Sequence, residues 1–290
     1  MKHSNALLFA IPTVIWGSTY YAIKFQIGEV DPLWSICYRF FLAGLILLAY
    51  SKWRKLDLHF TGHQHLRIML QATMLFGFNY WFVYIAEMEL TSGLVAVAFS
   101  GVIFLNILFA KIFLGKNASA KVYIGALLGV VGTALLFYED LNQISSADLP
   151  VASLILCFSA VVIYSLGNII WVTNKARNMP IVQTNAFGMV YAAILMAILA
   201  AITGSPPDYI PTFEYLGSLI YLSIFGTIIA FGGYLSLIDN IGADRAAYVN
   251  IVIPVIAVSL SAIFESYQLT ALVGVGMALI LVGIYIVLKK

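Results

Sequence analysis

The stretch IVQTNAFGMVYAAILMAILAAIT, residues 181–203, contains no charged side chain. A helix rises about 1.5 Å per residue, so a run of this length can cross the ~30 Å hydrocarbon core of a bilayer. The run ends at Gly204-Ser205-Pro206-Pro207, residues that favour a turn over further helix. This stretch predicts a transmembrane helix, and the rest of the chain repeats its pattern.

The chain has few charged residues with which to cover a water-exposed surface. Hydrophobic residues make up 62% of its 290 residues and charged residues only 10%, whereas charged residues are about 25% of a typical soluble domain. This composition predicts an all-α integral membrane protein. It excludes soluble enzymes, nucleic-acid-binding proteins and secreted factors.

Apolar segments of this kind recur along the chain, separated by turn-forming or charged residues. Each is about long enough to cross a bilayer as a helix, and the short connections leave no room for a folded domain outside the membrane. We therefore predict ten transmembrane helices. They cover residues 5–27, 33–51, 67–86, 91–113, 121–138, 150–173, 181–203, 214–238, 245–264 and 270–288.

The basic residues orient these spans. Lys24 and Arg39 lie inside predicted spans, and every other Lys and Arg falls on one side of the membrane when the ten spans alternate. Because basic residues concentrate on the cytoplasmic side of membrane proteins, both termini are predicted to be cytoplasmic. On that side lie Lys2, Lys52, Arg54, Lys55, Arg67, Lys111, Lys116, Lys121, Lys175, Arg177, Arg245, Lys289 and Lys290.

The two halves of the chain resemble each other. Each half has five predicted spans, an odd number, so the halves must cross the membrane in opposite directions. Such inverted repeats in secondary transporters place the substrate site near the midplane between the halves. We predict two inverted five-helix repeats, residues 1–145 and 146–290, the alternative being chance similarity among apolar helices. Matching positions include Trp16 and Tyr164, Tyr20 and Asn168, Pro32 and Pro180, Ala96 and Ala247, Gly125 and Gly276, and Gly132 and Gly283.

Several short motifs resemble a known family in their order along the chain. They are Trp16-Gly17-Ser18-Thr19-Tyr20, the second-span residues Pro32, Tyr38-Arg39-Phe40 and Leu42-Ala43-Gly44, then Thr91-Ser92-Gly93, Leu114-Gly115-Lys116, and the glycines from Gly125 to Gly132. This order is similar to that of the EamA family in the drug/metabolite transporter superfamily, and the resemblance covers essentially the whole chain. The resemblance implies a transporter of small metabolites, commonly an exporter of amino acids or related compounds.

Polar and aromatic residues recur on one face of the first and sixth spans. Polar groups inside a membrane are costly and are therefore candidates for function. Two such faces could line a shared cavity suited to amphipathic molecules, or they could form hydrogen bonds across a dry helix interface. The predicted substrate-binding residues are Trp16, Tyr20, Lys24, Arg39, Asn79, Tyr84, Tyr164, Asn168, Trp171, Tyr248 and Asn250.

Arg39 and Lys24 are the two basic residues inside the predicted spans. Arg39, roughly 10 Å into its helix, could bind a substrate carboxylate through two hydrogen bonds. Its alternative role is a structural ion pair with Glu29, Asp31 or Glu87. Lys24 is close enough to its helix end to extend into water.

Pro254 lies in the middle of the predicted ninth span. Proline removes one backbone hydrogen bond from a helix and can bend it. We predict a hinge at Pro254, and static packing around a fixed bend is the alternative.

Energy coupling is constrained by residues that the sequence lacks. No G-x-x-x-x-G-K-[ST] phosphate loop is present, so the chain is not expected to hydrolyse ATP. All acidic residues fall in connections or at span ends, so a buried carboxylate for a proton relay is not expected either. Facilitated diffusion or exchange is the expected mode of secondary transport, with strict proton antiport less favoured.

No catalytic set of an intramembrane enzyme is recognised in the sequence. The alternative functions are therefore a lipid flippase or a channel-like pore, with an enzyme less favoured. The expected partners are a small metabolite and the lipid of the inner cell membrane, in which the chain would be a multi-pass protein, with no nucleic acid or cofactor.

Two further patterns have simpler explanations. The cluster of His59, His63 and His65 lies in one connection without an accompanying Cys, so exposed polarity explains it better than a metal site. Gly125, Gly129 and Gly132 are spaced as in helix-pairing faces. They would serve a homodimer or packing within the chain equally well.

Overall fold

The computed structural model describes residues 3–23, 25–26, 30–90, 92–138, 150–207, 212–264 and 269–288. Within these ranges the chain forms helices and no strand. The helices are α1 (His3–Ile23), α2 (Pro32–Trp53), α3 (Gly62–Ala72), α4 (Asn79–Glu87), α5 (Ser92–Ser100), α6 (Val102–Leu114), α7 (Ala120–Leu136), α8 (Val151–Lys175), α9 (Ile181–Thr203), α10 (Phe213–Tyr221), α11 (Ala230–Ile241), α12 (Ala243–Ala246), α13 (Tyr248–Phe264) and α14 (Ala271–Leu288).

Eight helical segments in the described part of the chain are long and apolar enough to cross a membrane. Two of them contain a π-helical segment: α3 continues into α4 through Thr73–Phe78, and α10 continues into α11 through Leu222–Ile229. The shorter apolar helices α7 and α14 stand where the fifth and tenth spans were predicted. The all-α membrane fold is thus confirmed, while the count of ten spans and their orientation stay predictions.

The helix boundaries follow the predicted ones closely. The seventh predicted span coincides with α9, Ile181–Thr203. The third was predicted from residue 67, but α3 begins at Gly62 because Thr61 and Gln64 form a capping box. The Thr61 side chain accepts from the Gln64 backbone N–H while the Gln64 side chain accepts from that of Thr61, which satisfies two free amides at the helix start.

The most extensive helix contacts between the halves are those of α2 with α9 and of α7 with α14. Small residues bring the backbones close in both pairs. A Cβ built on Gly44 of α2 would lie 2.7 Å from Val190 Cγ2, and one on Gly132 of α7 would lie 2.7 Å from the Gly276 carbonyl oxygen. Gly125 meets Gly283 in the same way. The α7 glycines therefore pack against another helix of the same chain, which was one of the two roles predicted for them.

Several of the remaining contacts match between the two halves of the chain. Helix α1 packs on α11, α13 and the Leu222–Ile229 segment, whereas α8 packs on α3, α4, α6 and the Thr73–Phe78 segment. The two π-helical segments also occupy matching places in the halves. This correspondence supports the predicted inverted repeat of residues 1–145 and 146–290.

Substitution of Gly276 tests the close approach of α7 and α14. A Cβ at Gly276 would lie 2.6 Å from the Gly132 carbonyl oxygen, whereas one at Gly274 would meet nothing within 4 Å. We expect Gly276→Val to lower the free energy of unfolding by about 1–3 kcal/mol because the helices must separate. Unfolding in mixed detergent micelles measures it, with Gly274→Val as the matched control. Equal losses in both variants would contradict the packing.

Thiol labelling tests the orientation. Both native cysteines, Cys37 and Cys157, are buried, so they can be replaced to give a background for single cysteines. Lys116 and Glu214 are exposed on opposite predicted sides. A membrane-impermeant maleimide should label Glu214→Cys in intact cells and Lys116→Cys only after cells are broken, because basic connections stay cytoplasmic. The reverse pattern would invert the topology.

Candidate functional site

A cavity of ≈ 90 Å³ lies between the two halves of the bundle. Helices α1, α4 and α5 contribute to it from the first half, and α8, α11 and α13 from the second. Aromatic and aliphatic side chains dominate the lining, with a few polar groups among them. The lining residues are Trp16, Thr19, Ile23, Asn79, Tyr80, Val83, Glu87, Val95, Phe99, Tyr164, Phe231, Asn250 and Ile253.

Among the predicted binding residues, Trp16, Asn79, Tyr164 and Asn250 line this central cavity. The Asn79 side chain donates from Nδ2 to the Ala160 carbonyl oxygen at 3.3 Å. The Tyr164 hydroxyl is buried beside the side chains of Tyr234 and Asn250. Buried polar atoms usually have partners, and either these neighbours or a polar group of a bound molecule can serve as the partner of Tyr164.

Trp16 connects the halves beside the cavity. Its indole Nε1 donates to the Gly226 carbonyl oxygen at 2.9 Å, and its ring lies 5.0 Å from that of Phe231. Gly226 belongs to the π-helical segment Leu222–Ile229. Such segments interrupt the regular backbone ladder and occur frequently at functional sites. Here the segment presents a backbone acceptor to a helix of the other half.

Arg39 is buried behind the cavity lining and does not reach the cavity itself. Its Nε donates to Thr227 Oγ1 at 2.8 Å, and its guanidinium lies 4.7 Å from the centre of the Tyr80 ring. Its Nη1 has no hydrogen-bond partner. The cation is thus held by a hydroxyl and by an aromatic face, a favourable arrangement for a guanidinium.

Arg39 forms no ion pair with any of the described residues. Their ion pairs are those of His59 with Asp57 and Lys175 with Asp239. Asp31 instead accepts from the Leu33 backbone N–H at 2.8 Å, where it caps α2. Glu29 lies outside the described residues.

Four predicted binding residues lie away from the cavity. The Tyr84 hydroxyl donates to Gln26 Oε1 at 3.0 Å, and Tyr248 donates to the Val122 carbonyl oxygen at 2.8 Å. Asn168 Nδ2 donates to the Tyr234 hydroxyl at 3.4 Å, and Trp171 Nε1 donates to Asp239 Oδ1 at 2.9 Å. These bonds match the alternative of helix packing. The residues concerned are Tyr84, Asn168, Trp171 and Tyr248.

Three other predictions have different outcomes. The Tyr20 side chain and Lys24 lie outside the described residues. Pro254 is buried within α13, which continues on both sides of it. A hinge at Pro254 therefore stays a prediction.

Glu87, the last residue of α4, was not predicted to bind substrate. It lines the cavity, and its Oε1 is buried without a hydrogen-bond partner. The residue as a whole is half-buried at the helix end, but this enclosed oxygen is an exception to the expectation that no buried carboxylate would be present. The signal was available, because Tyr80, Val83 and Glu87 have the i, i+3, i+7 spacing of one helix face, but Glu87 was assigned to a span end.

A polar layer separates the central cavity from a second one. Ser165 Oγ donates to Asn106 Oδ1 at 2.5 Å, and Asn106 Nδ2 donates to the Ala243 carbonyl oxygen at 3.0 Å. Beyond this layer lies a cavity of ≈ 380 Å³ whose lining includes Lys116, Lys175, Asp239 and Asp244. It lies at the predicted cytoplasmic end. The Lys175 Nζ to Asp239 Oδ2 distance there is 3.1 Å.

Of the three clustered histidines, His59 precedes α3 whereas His63 and His65 lie within it, and His59 and His65 have separate partners. His59 contacts Asp57, and the His59 backbone N–H and ring together hold the pKa of the Asp57 carboxyl below its usual value. The His65 ring lies 2.8 Å from the Tyr191 hydroxyl. In the described part of the chain no group of three metal-ligating side chains comes together.

The model of the EamA-like transporter family matches residues 3–138 and again residues 151–289. The chain belongs to this family. The resemblance found in the motifs is confirmed, and with the apolar helices it identifies a multi-pass membrane transporter.

Curated relatives match over most of their length. The chain is 29% identical over 268 residues to the "Uncharacterized inner membrane transporter YedA" of Escherichia coli K12, covering 87% of this chain and 80% of that protein. It is 22% identical over 296 residues to the "Probable amino-acid metabolite efflux pump" of the same strain, covering 99% and 95%. A crystal structure superposes with a TM-score of 0.82 at 18% identity, covering 99% of this chain and 97% of that one, which shows the fold alone.

Substitution of Arg39 distinguishes a role in substrate binding from a role in a structural ion pair. Since no described carboxylate pairs with it, we expect Arg39→Gln to cost only about 1–2 kcal/mol of unfolding free energy, mainly the bond to Thr227. Breaking a buried ion pair would cost about 3–5 kcal/mol. Unfolding in mixed micelles measures the difference, with Thr227→Val as control for the hydrogen bond alone. A loss in the higher range would restore the ion-pair role.

Proposed function

We propose that the chain is a secondary transporter that exports small amphipathic metabolites, amino acids or related compounds, across the inner membrane. It would act by alternating access between two inverted five-helix repeats. The observation that carries the proposal is the central cavity, whose lining comes from both halves of the chain. A site shared between repeats can be exposed to either side when the repeats move relative to one another.

The chemistry of the lining supports this substrate class. Aromatic rings with a few amide and hydroxyl groups suit a molecule with an apolar body and a polar end. A strongly hydrated sugar phosphate would require several cations in the cavity. Arg39 does not line the cavity, but its guanidinium contacts the ring of Tyr80, which does, and a shift of that ring would let a substrate carboxylate approach it.

The cavity is smaller than most ligand pockets. Ligand pockets usually have ≈ 300–1,000 Å³, whereas this cavity has ≈ 90 Å³. Substrate entry would therefore need the halves to separate locally, and the Trp16 bond to Gly226 joins them across that contact. The relatives' names, an inner membrane transporter and an amino-acid metabolite efflux pump, agree with this location and substrate class.

Resistance to toxic amino-acid analogues tests the proposal. Cells overexpressing the protein should tolerate several-fold more of at least one analogue, because export lowers its internal concentration. Trp16→Ala should abolish that tolerance by opening the lining and removing the bond to Gly226. Trp53→Ala is the matched control, since Trp53 is 75% exposed at the end of α2.

Two results would count against export by alternating access. Tolerance that survives Trp16→Ala would remove the central cavity from the pathway. Release of all small solutes without saturation would indicate a channel-like pore instead.

A further inference from the structure

We propose that Glu87 binds the protonated amino group of the substrate in the central cavity, and that a proton competes with the substrate for the same carboxylate. This assignment rests on the proposed function, because it takes the molecule bound in the cavity to be the transported substrate. It adds the binding group, the chemical class of the ligand and the coupling ion.

The Glu87 side chain has an unsatisfied carboxylate oxygen. Glu87 lies at the end of α4 and lines the cavity, and its Oε1 is buried without a hydrogen-bond partner. A buried carboxylate oxygen without a partner is costly, and exceptions to hydrogen-bond satisfaction call for an explanation. A cation or a proton supplied from the cavity removes that cost.

Aromatic side chains line the cavity together with Glu87. The rings of Trp16, Tyr80, Phe99, Tyr164 and Phe231 surround the same space. Aromatic faces attract organic cations, and cages of such rings recognise ammonium groups. A carboxylate among aromatic rings therefore selects an ammonium group and disfavours an anionic one.

Among the described ionisable groups near the cavity, Glu87 is the one whose carboxylate can accept a hydrogen bond from an ammonium group. On its own helix these are Tyr80 and Tyr84, on α8 they are Cys157 and Tyr164, and on α2 the nearest is Arg39, which lies behind Tyr80. The described lining residues of α1, α5, α11 and α13 do not ionise. They are Trp16, Thr19, Ile23, Val95, Phe99, Phe231, Asn250 and Ile253.

The nearby acid Glu89 has a different environment. It is exposed, and its Oε2 accepts from Ser153 Oγ at 2.6 Å. Glu89 is absent from the cavity lining. It therefore provides a matched control for the removal of a carboxylate near the end of α4.

Competition at Glu87 defines an exchange. When the ammonium group leaves on one side, the carboxylate can take up a proton there and release it on the other side before the next substrate binds. One positive charge then moves in each direction, so the exchange of a monocation for a proton is electroneutral. The proton gradient drives this exchange, and the protein forms or breaks no covalent bond apart from the protonation of Glu87.

Equilibrium dialysis of radiolabelled phenylethylamine against the purified full-length protein in detergent tests the inference. We expect unlabelled phenylethylamine to displace the label at least tenfold more effectively than 2-phenylethanol, which has the same shape and no charge. Glu87→Gln should abolish this preference because it removes the carboxylate but keeps the side-chain size. Glu89→Gln should keep it.

The pH dependence has a defined sign. A primary amine stays protonated between about pH 5 and about pH 8, so any change in affinity comes from the protein. Amine affinity should fall as the pH falls, because protonated Glu87 no longer attracts the ammonium group. Glu87→Gln should bind the amine weakly and equally at all pH values in this range.

Several outcomes would overturn the inference: no binding of the amine, equal binding of the alcohol, or a preference that survives in Glu87→Gln. If that variant does not fold, Glu87→Asp must retain both the preference and the pH dependence. The binding readout is independent of transport. Selective amine binding without export in the analogue assay would reject the proposed function and leave the site, whereas export of compounds that lack an amino group would reject the site alone.

Discussion

The close backbone contact between one helix of each half is the constraint on which the rest of the structure depends. Lipid supplies no hydrophobic force between helices, so small residues and the packing they allow must hold the bundle together. Gly44 allows this contact between α2 and α9, and Gly132 with Gly276 allows it between α7 and α14. These pairs join the two halves, whereas the central cavity is lined by six other helices, α1, α4, α5, α8, α11 and α13.

Much of the fold could be predicted because it follows from single-residue patterns. Apolar length located the helices, and α9 matches its prediction at both ends. The π-helical segments could not be predicted, because the apolar residues that form them also suit a regular α-helix. Those segments rotate the residues that follow, so Asn79 and Tyr80 reach the cavity whereas Tyr84 faces Gln26. The site was therefore predicted only in part.

The error at Glu87 has an equally physical origin. Acidic residues at span ends are normally solvated, and Glu89 is exposed in that way. Glu87 differs because the face of α4 that carries Tyr80 and Val83 is turned toward the other half. A sequence reports the distance of a side chain from the end of its helix, but it does not report which neighbour covers that end.

The pairing of α2 with α9 also sets an order of events during synthesis. The end of α2 at Trp53 and the start of α9 at Ile181 are far apart in the chain. At about 5–20 residues per second, the ribosome needs about 6 to 26 seconds to reach the partner helix. During that interval the Gly44 face of α2 lies in the membrane without the helix that covers it. The nascent first half is thus the stage at which lipid, the insertion machinery or a membrane protease has access to a surface that the finished protein hides.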